Sequence, residues 1–264
     1  MSETQQQSSG SEKINKGENT LIGHLTELRD RLLKSVLTII AIFASMAYFS
    51  NDLYEILSKP LLKHYPEGSQ MIATSVASPF FAPFKLTMVL SVFIAMPMIL
   101  NQIWGFIAPG LYRHEQKLVA PLLFSSIFLF YGGIAFAYFV LFPLALPFFI
   151  SAAPEGVTVM TDINEYLDFT LTIFFAFGFA FQIPIATVLM IWSGMTTVEN
   201  LRAKRSYVIL GVFVIGMFLT PPDVISQTVL AVPMWLLYEA GMIFAILVKP
   251  GKRENSSDDE ESSE

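Results

Sequence analysis

Few side chains here are able to do chemistry, and the chain around them excludes most kinds of it. Cysteine is absent, which removes disulfides, thiol nucleophiles and thiolate metal sites. The histidines, His24, His64 and His114, fall in separate polar segments with no Ser or Asp set beside them, so no nucleophilic triad is readable. No glycine-rich phosphate loop of the Walker type occurs, so ATP binding is not expected. Two carboxylates stand out instead. Glu27 lies in the segment Thr20 to Leu33, where Leu21, Leu25, Leu28 and Leu32 fall on one helical face. Four residues separate it from Arg31. That spacing fits a solvated pair worth a few tenths of a kcal/mol, or an acidic ligand for a basic peptide. Glu115 is the sole carboxylate of the connection from Trp104 to Glu115, where Pro109-Gly110 enforces a turn; taken alone it reads as a solvated loop charge.

Other polar groups sit inside apolar stretches. Gln182, in Phe177 to Pro184, needs a partner if buried in hydrocarbon, either an interhelical hydrogen bond or a seat for a peptide or partner subunit. Glu239 is costlier to bury, and reads as a ligand for a partner's polar residue or as an acid wetted near a membrane face. Asp223 follows Pro221-Pro222, where the prolines stop one helix and the acid is placed to cap the next.

The elements that position these groups follow from composition. With 53% hydrophobic and 14% charged residues over 264 positions and a positive mean hydropathy, the solvent is lipid. The net charge of −6 owes much to the tail acids Asp258, Asp259, Glu260, Glu261 and Glu264 and points to no nucleic-acid partner. Met1 to Thr20 is polar and lacks the pattern of a cleavable signal peptide; residues 1–19 and the charged, Ser-rich 249–264 are expected to be disordered.

A helix needs roughly 20 apolar residues to cross about 30 Å of hydrocarbon. Six stretches qualify or nearly so: Leu32 to Phe49, Ala82 to Trp104, Pro121 to Pro147, Leu167 to Trp192, Tyr207 to Thr220 and Val224 to Val248. The fifth reaches only about 21 Å at 1.5 Å per residue, which asks for a locally thinned bilayer. The expected fold is an all-α membrane protein of six transmembrane helices in a curved, cupped bundle. Its fifth and sixth spans are short, and an amphipathic N-terminal helix lies on the cytoplasmic face. Pro97, Pro143, Pro147, Pro184 and Pro233 are expected to bend helices. Only Lys59, Lys63 and Lys85 fall on one side of this topology; the remaining Lys and Arg gather on the other, which places both termini in the cytoplasm. The segments Ser50 to Phe81 and Phe148 to Tyr166 form ordered outer caps.

Three motifs resemble those of the TatC family, the multi-span subunit of the twin-arginine protein translocase. They are His24-Leu25-Thr26-Glu27-Leu28-Arg29-Asp30-Arg31; Phe106-Ile107-Ala108-Pro109-Gly110-Leu111-Tyr112 with Glu115; and Thr220-Pro221-Pro222-Asp223 with Ser226-Gln227. The resemblance implies a non-enzymatic receptor in the bacterial inner membrane, without cofactors. Such a receptor binds the twin-arginine signal peptides of folded precursors and supports their export with the single-span TatA and TatB subunits, driven by the proton-motive force. It implies self-association in a multimeric complex. It assigns the arginine pair to Glu27 and Glu115, with Arg29 shaping the site. Two neighbouring guanidinium groups want two carboxylates, as each pairs bidentately with one. Met217, Thr220, Asp223 and Gln227 become docking contacts for a single-span partner. Many members carry Glu where Gln182 stands, so a mechanism needing an intramembrane charge there is in doubt. The competing class is a small-solute or ion transporter, with Gln182 and Glu239 lining a path; no pair of broken spans recurs in the two halves to favour it.

Overall fold

The computed structural model describes residues 3–62, 71–107, 119–151, 160–219 and 224–247. Ten α-helices are present among them: α1 Glu3–Met46, α2 Ser50–Leu62, α3 Ser78–Ile107, α4 Val119–Phe136, α5 Phe142–Ser151, α6 Ile163–Ala180, α7 Ile183–Trp192, α8 Val198–Ala203, α9 Arg205–Leu219 and α10 Val224–Leu247. Five helical stretches are long and apolar enough to cross a membrane: Gly23–Lys59, Ser78–Ile107, Val119–Ser151, Ile163–Trp192 and Gln227–Leu247. The apolar helix Arg205–Leu219 is shorter, as expected of the fifth span. The sixth span, expected to be short as well, is not. α10 has 24 residues and continues through Pro233, since one proline removes one donor and its neighbours in the helix stay paired. α1 begins well before the Thr20 boundary that polar composition suggests. The 249–264 tail lies outside the described residues.

Prolines leave different marks. Ahead of Pro143 the helix widens into a π-helical turn over Ala137–Leu141, with the Phe142 N–H donating to the Ala137 carbonyl. Pro143 has no N–H for the preceding turn, and one looser turn absorbs the mismatch. Pro184 has a larger effect. The fourth span breaks at Phe181 and Gln182 between α6 and α7, with Pro184 in the first turn of the new helix, where its missing donor costs least. Pro97 and Pro233 lie within uninterrupted α3 and α10. Gly194 ends α7 in the left-handed region, φ 71°, with the Met195 N–H reaching back to the Met190 carbonyl at 3.1 Å.

Two compact units make up the chain. The first comprises 1–127 and 146–171, the second 128–145 and 172–264. In the first, α1 and α2 pack on α3, and the buried Trp104 indole donates to Ser126 at 3.2 Å. The described parts of the segments Ser50 to Phe81 and Phe148 to Tyr166 are joined there. Ile72 and Asp162 form a parallel bridge, with the Ile72 N–H on Thr161 and the Ile163 N–H on Ile72. Tyr166 donates to the Leu57 carbonyl at 2.9 Å and Tyr54 to that of Ile163 at 3.2 Å. Asp162 holds the seam together. Its Oδ2 accepts from the N–H and hydroxyl of Thr74, at 2.8 and 2.7 Å, while Oδ1 caps α6 through the N–H groups of Asn164 and Glu165.

The hydrogen bond from the Thr74 hydroxyl is the chief reason the Asp162 carboxyl is held down at about 2, against an ordinary 3.8. Its lowered folded value means that the contribution is fully present above pH 3.8 and is lost as pH falls through about 2. Protection of the Thr74, Asn164 and Glu165 amides, taken as the ratio of intrinsic to observed exchange rate at each pH, is therefore expected to be high at neutral pH and to fall between pH 4 and 2. In Asp162→Asn that ratio is low at every pH; unchanged protection in that variant contradicts the assignment.

The second unit is built on contacts of small residues. A side chain at Gly133 would run into the Phe177 backbone, and one at Gly178 into the Phe130 ring, so α4 and α6 cross nearly backbone to backbone. Phe130, Phe142 and Phe177 are fully buried around this crossing, with Phe142 stacked on Phe174 at 5.4 Å. Gly241 does the same for α10 against Thr187 and Pro184 of α7.

Candidate functional site

One polar stripe of α1 faces protein, while several of its leucines do not. Leu25, Leu28, Leu32 and Leu37 are exposed, whereas Glu27 and Arg31 are half-buried and Ser35 is buried, a stripe with i, i+4 spacing. This inverts the pattern of a soluble amphipathic helix. In lipid the apolar side needs no protein cover, and the polar stripe does.

That stripe meets the C-terminal end of α3. Arg31 donates to Glu27 Oε1 through Nε at 3.0 Å and Nη2 at 2.7 Å. The same guanidinium reaches α3: Nη1 donates to the Gln102 carbonyl at 3.4 Å and to Gln102 Oε1 at 3.3 Å, and Nη2 to the Gly105 carbonyl at 3.1 Å. The Gly105 carbonyl is open to this because residue 109 is proline and has no N–H to give it. A cation beside the last carbonyls of a helix also meets the negative end of its dipole. A Cβ at position 105 would overlap the Arg31 guanidinium as it lies here, so a larger residue there would push the guanidinium aside. His24 adds an edge contact to Phe106, rings 6.4 Å apart.

Glu27 is thus held at the α1–α3 junction, with both Arg31 hydrogen bonds on one oxygen. The pairing with Arg31 is more than a helix-surface pair, because it joins segments 71 and 74 residues apart. Gln102 and Gly105 were missed by motif reading. The sequence signal for them was a polar residue one turn from the end of a span and a glycine four residues before a proline. Arg29 is turned away, 71% exposed and paired with Asp30 at 3.2 Å. Glu115 lies outside the described residues, as do Thr220 and Asp223.

The remaining residues lie in the second unit. Gln182 occupies the turn at the α6–α7 break, where its carbonyl accepts from the Ala186 N–H at 2.9 Å. Glu239 pairs through Oε2 with Arg205 at 2.5 Å, tying α10 to the start of α9; its Oε1 is buried with no partner among the described residues. Tyr238 beside it donates to the Leu201 carbonyl of α8 at 2.9 Å. Gln227 spans the α9–α10 hairpin, its amide donating to the Phe213 carbonyl at 2.6 Å against Gly216. Met217 is half-exposed on α9. An apolar cavity of about 520 Å³ lies beside this hairpin, lined by Phe175, Phe179, Ile183, Val212, Ile215 and Met234 among others. No cluster of three or more His, Asp or Glu able to hold a metal occurs among the described residues.

The family model described as Sec-independent protein translocase protein (TatC) matches residues 23–233. A Sec-independent protein translocase protein TatC from Azotobacter chroococcum mcd 1 is 58% identical over 238 residues, covering 90% of this chain and 93% of that protein. The protein of the same name from Escherichia coli strain K12 is 57% identical over 225 residues, 85% of this chain and 87% of that one. Among solved structures, a crystal structure of the twin arginine translocase receptor TatC is similar with a TM-score of 0.76 and 39% identity, covering 85% of this chain and 98% of that chain. With a family match that begins at the α1 clamp and ends within α10, and with the fold of a solved member, this multi-pass membrane chain belongs to the TatC family of Sec-independent protein translocase proteins.

Proposed function

We propose that this chain is the receptor that takes the twin-arginine signal peptides of folded precursors at the cytoplasmic face, with Glu27 and Glu115 as the two acceptors. The observation that carries the reading is the seating of Glu27. Its carboxylate is fixed at the α1–α3 junction and already accepts a guanidinium through two N–H groups, the chemistry an incoming arginine needs. Glu115 follows α3 by eight residues and returns to the same end of that helix if all six apolar helices cross and both termini are cytoplasmic. Arg29, between Glu27 and Arg31 in the sequence and exposed on the side away from the clamp, is given a part in shaping the site by the family resemblance alone.

No covalent chemistry is assigned to the chain. Export runs on the proton-motive force and on partners, with TatA and TatB as the single-span subunits. The half-exposed Met217, the short α9 and the apolar cavity beside it suit a single-span helix. On this reading Gln227 stiffens the hairpin that receives it, Thr220 and Asp223 next to it in the sequence are docking contacts, and several copies assemble into one receptor complex. The test is export of a twin-arginine precursor in cells relying on this chain. Glu27→Gln with Glu115→Gln is expected to abolish export while the protein still inserts, and intact export overturns the receptor assignment.

A further inference from the structure

Arg31 occupies the acid that the receptor reading assigns to the ligand, and it does so with a guanidinium. We infer that Arg31 is a built-in competitor: it fills Glu27 while no peptide is bound, and steps back onto the end of α3 when a peptide arginine arrives. The inference rests on the receptor reading of Glu27.

Three observations on one group support it. Arg31 holds one oxygen of Glu27 with two donors, Nε and Nη2 to Oε1, as a ligand arginine would be able to. Its remaining reach goes to oxygens that do not depend on Glu27, namely the Gln102 carbonyl and amide oxygen and the Gly105 carbonyl. And the guanidinium lies where a Cβ of residue 105 would stand, so glycine there leaves it room to reach those oxygens without shifting. A half-buried arginine deprived of its carboxylate is ordinarily left with an uncompensated charge. Here the displaced guanidinium keeps three acceptors and the negative end of the α3 dipole, so the exchange leaves no charge stranded.

The exchange has consequences for recognition. In the unoccupied state the clamp keeps Glu27 in one place, with its negative charge compensated. On binding, every cationic peptide must first displace Arg31, and this subtracts the same amount from the affinity of each. An arginine pair recovers the loss through two-donor hydrogen bonds. A lysine pair offers only point charges, and falls below a useful affinity. Arg31 thus acts through Glu27 as a positioning residue that sets the threshold for binding, while the acids set the preference.

The experiment is peptide binding to the full chain in nanodiscs, using a twin-arginine signal peptide and the same peptide with both arginines changed to lysine. Arg31→Gln removes the competing charge and keeps a donor for the α3 oxygens. It is expected to tighten both peptides by the same factor, about three- to tenfold for a partly exposed ion pair, with the Arg-to-Lys preference unchanged and the gain shrinking in high salt. A role confined to holding α1 on α3 predicts weaker binding of both. Arg31→Lys keeps a cation without the two-donor geometry and gives a smaller gain in the same direction, which decides the matter should Arg31→Gln fail to insert. Equal or weaker binding in the variant that inserts, with the unmodified chain still preferring the arginine peptide, overturns the competitor. If the unmodified chain shows no preference, the receptor reading itself fails.

Discussion

Changing Glu27 and Glu115 together to Gln is expected to weaken binding of a twin-arginine signal peptide by about 10²- to 10⁴-fold, with each single change costing about 10- to 100-fold. The estimate takes each arginine–carboxylate contact as a charge-assisted hydrogen bond worth about 1.5–3 kcal/mol, at about 1.4 kcal/mol per factor of ten. Near-additivity of the two single changes is part of the expectation. Acids on different segments that each hold their own guanidinium behave as separate sites, whereas a coupling above about 0.5 kcal/mol means that one arginine shares both. The glutamines keep size and hydrogen bonding, so α1 and α3 remain joined through Gln102 and Gly105. Titration calorimetry of the full chain in nanodiscs measures both quantities. Two single changes that each leave the affinity intact contradict the assignment of the acids.

Gly133→Ala is expected to lower stability by about 1–3 kcal/mol, the usual range for overpacking a tight core. The new methyl meets the Phe177 carbonyl and the Gly178 backbone, neither of which moves without separating α4 from α6. Gly132→Ala is the control. Its nearest neighbour is the Phe181 ring edge at 3.9 Å, an ordinary contact, and alanine is the better helix former. Heating the purified chain in detergent and measuring the folded fraction by gel filtration separates the two: loss at position 133, none at 132. Equal behaviour contradicts the close crossing.

Helix placement was readable because lipid imposes long apolar runs, and the five long helices and the short fifth span follow from counting alone. The sixth span, expected to be short, has 24 residues and runs through Pro233 without a break. The response to the other prolines was also hidden in the sequence. Pro143 is met by a widened turn and Pro184 by a break that puts Gln182 in a turn, and the choice depends on which neighbours satisfy the freed carbonyls. At the candidate site, the Glu27–Arg31 spacing was visible and its weight was not. The partners that raise it from a surface pair to a clamp, Gln102 and Gly105, come from another helix, and no local pattern announces a contact across such a distance. Asp162 and Thr74, 88 residues apart, are the same case where Ile72 bridges to Asp162.

A twin-arginine motif is expected to reach Glu27 and Glu115 together. Photo-crosslinking from position 106, the aromatic that touches His24 at the end of α3, and from position 116 beside Glu115 measures it most directly. The expected result is capture of a twin-arginine precursor at its arginine pair from both positions, lost when the arginines are changed to lysine. Capture from neither position, or equal capture of the lysine form, contradicts the account.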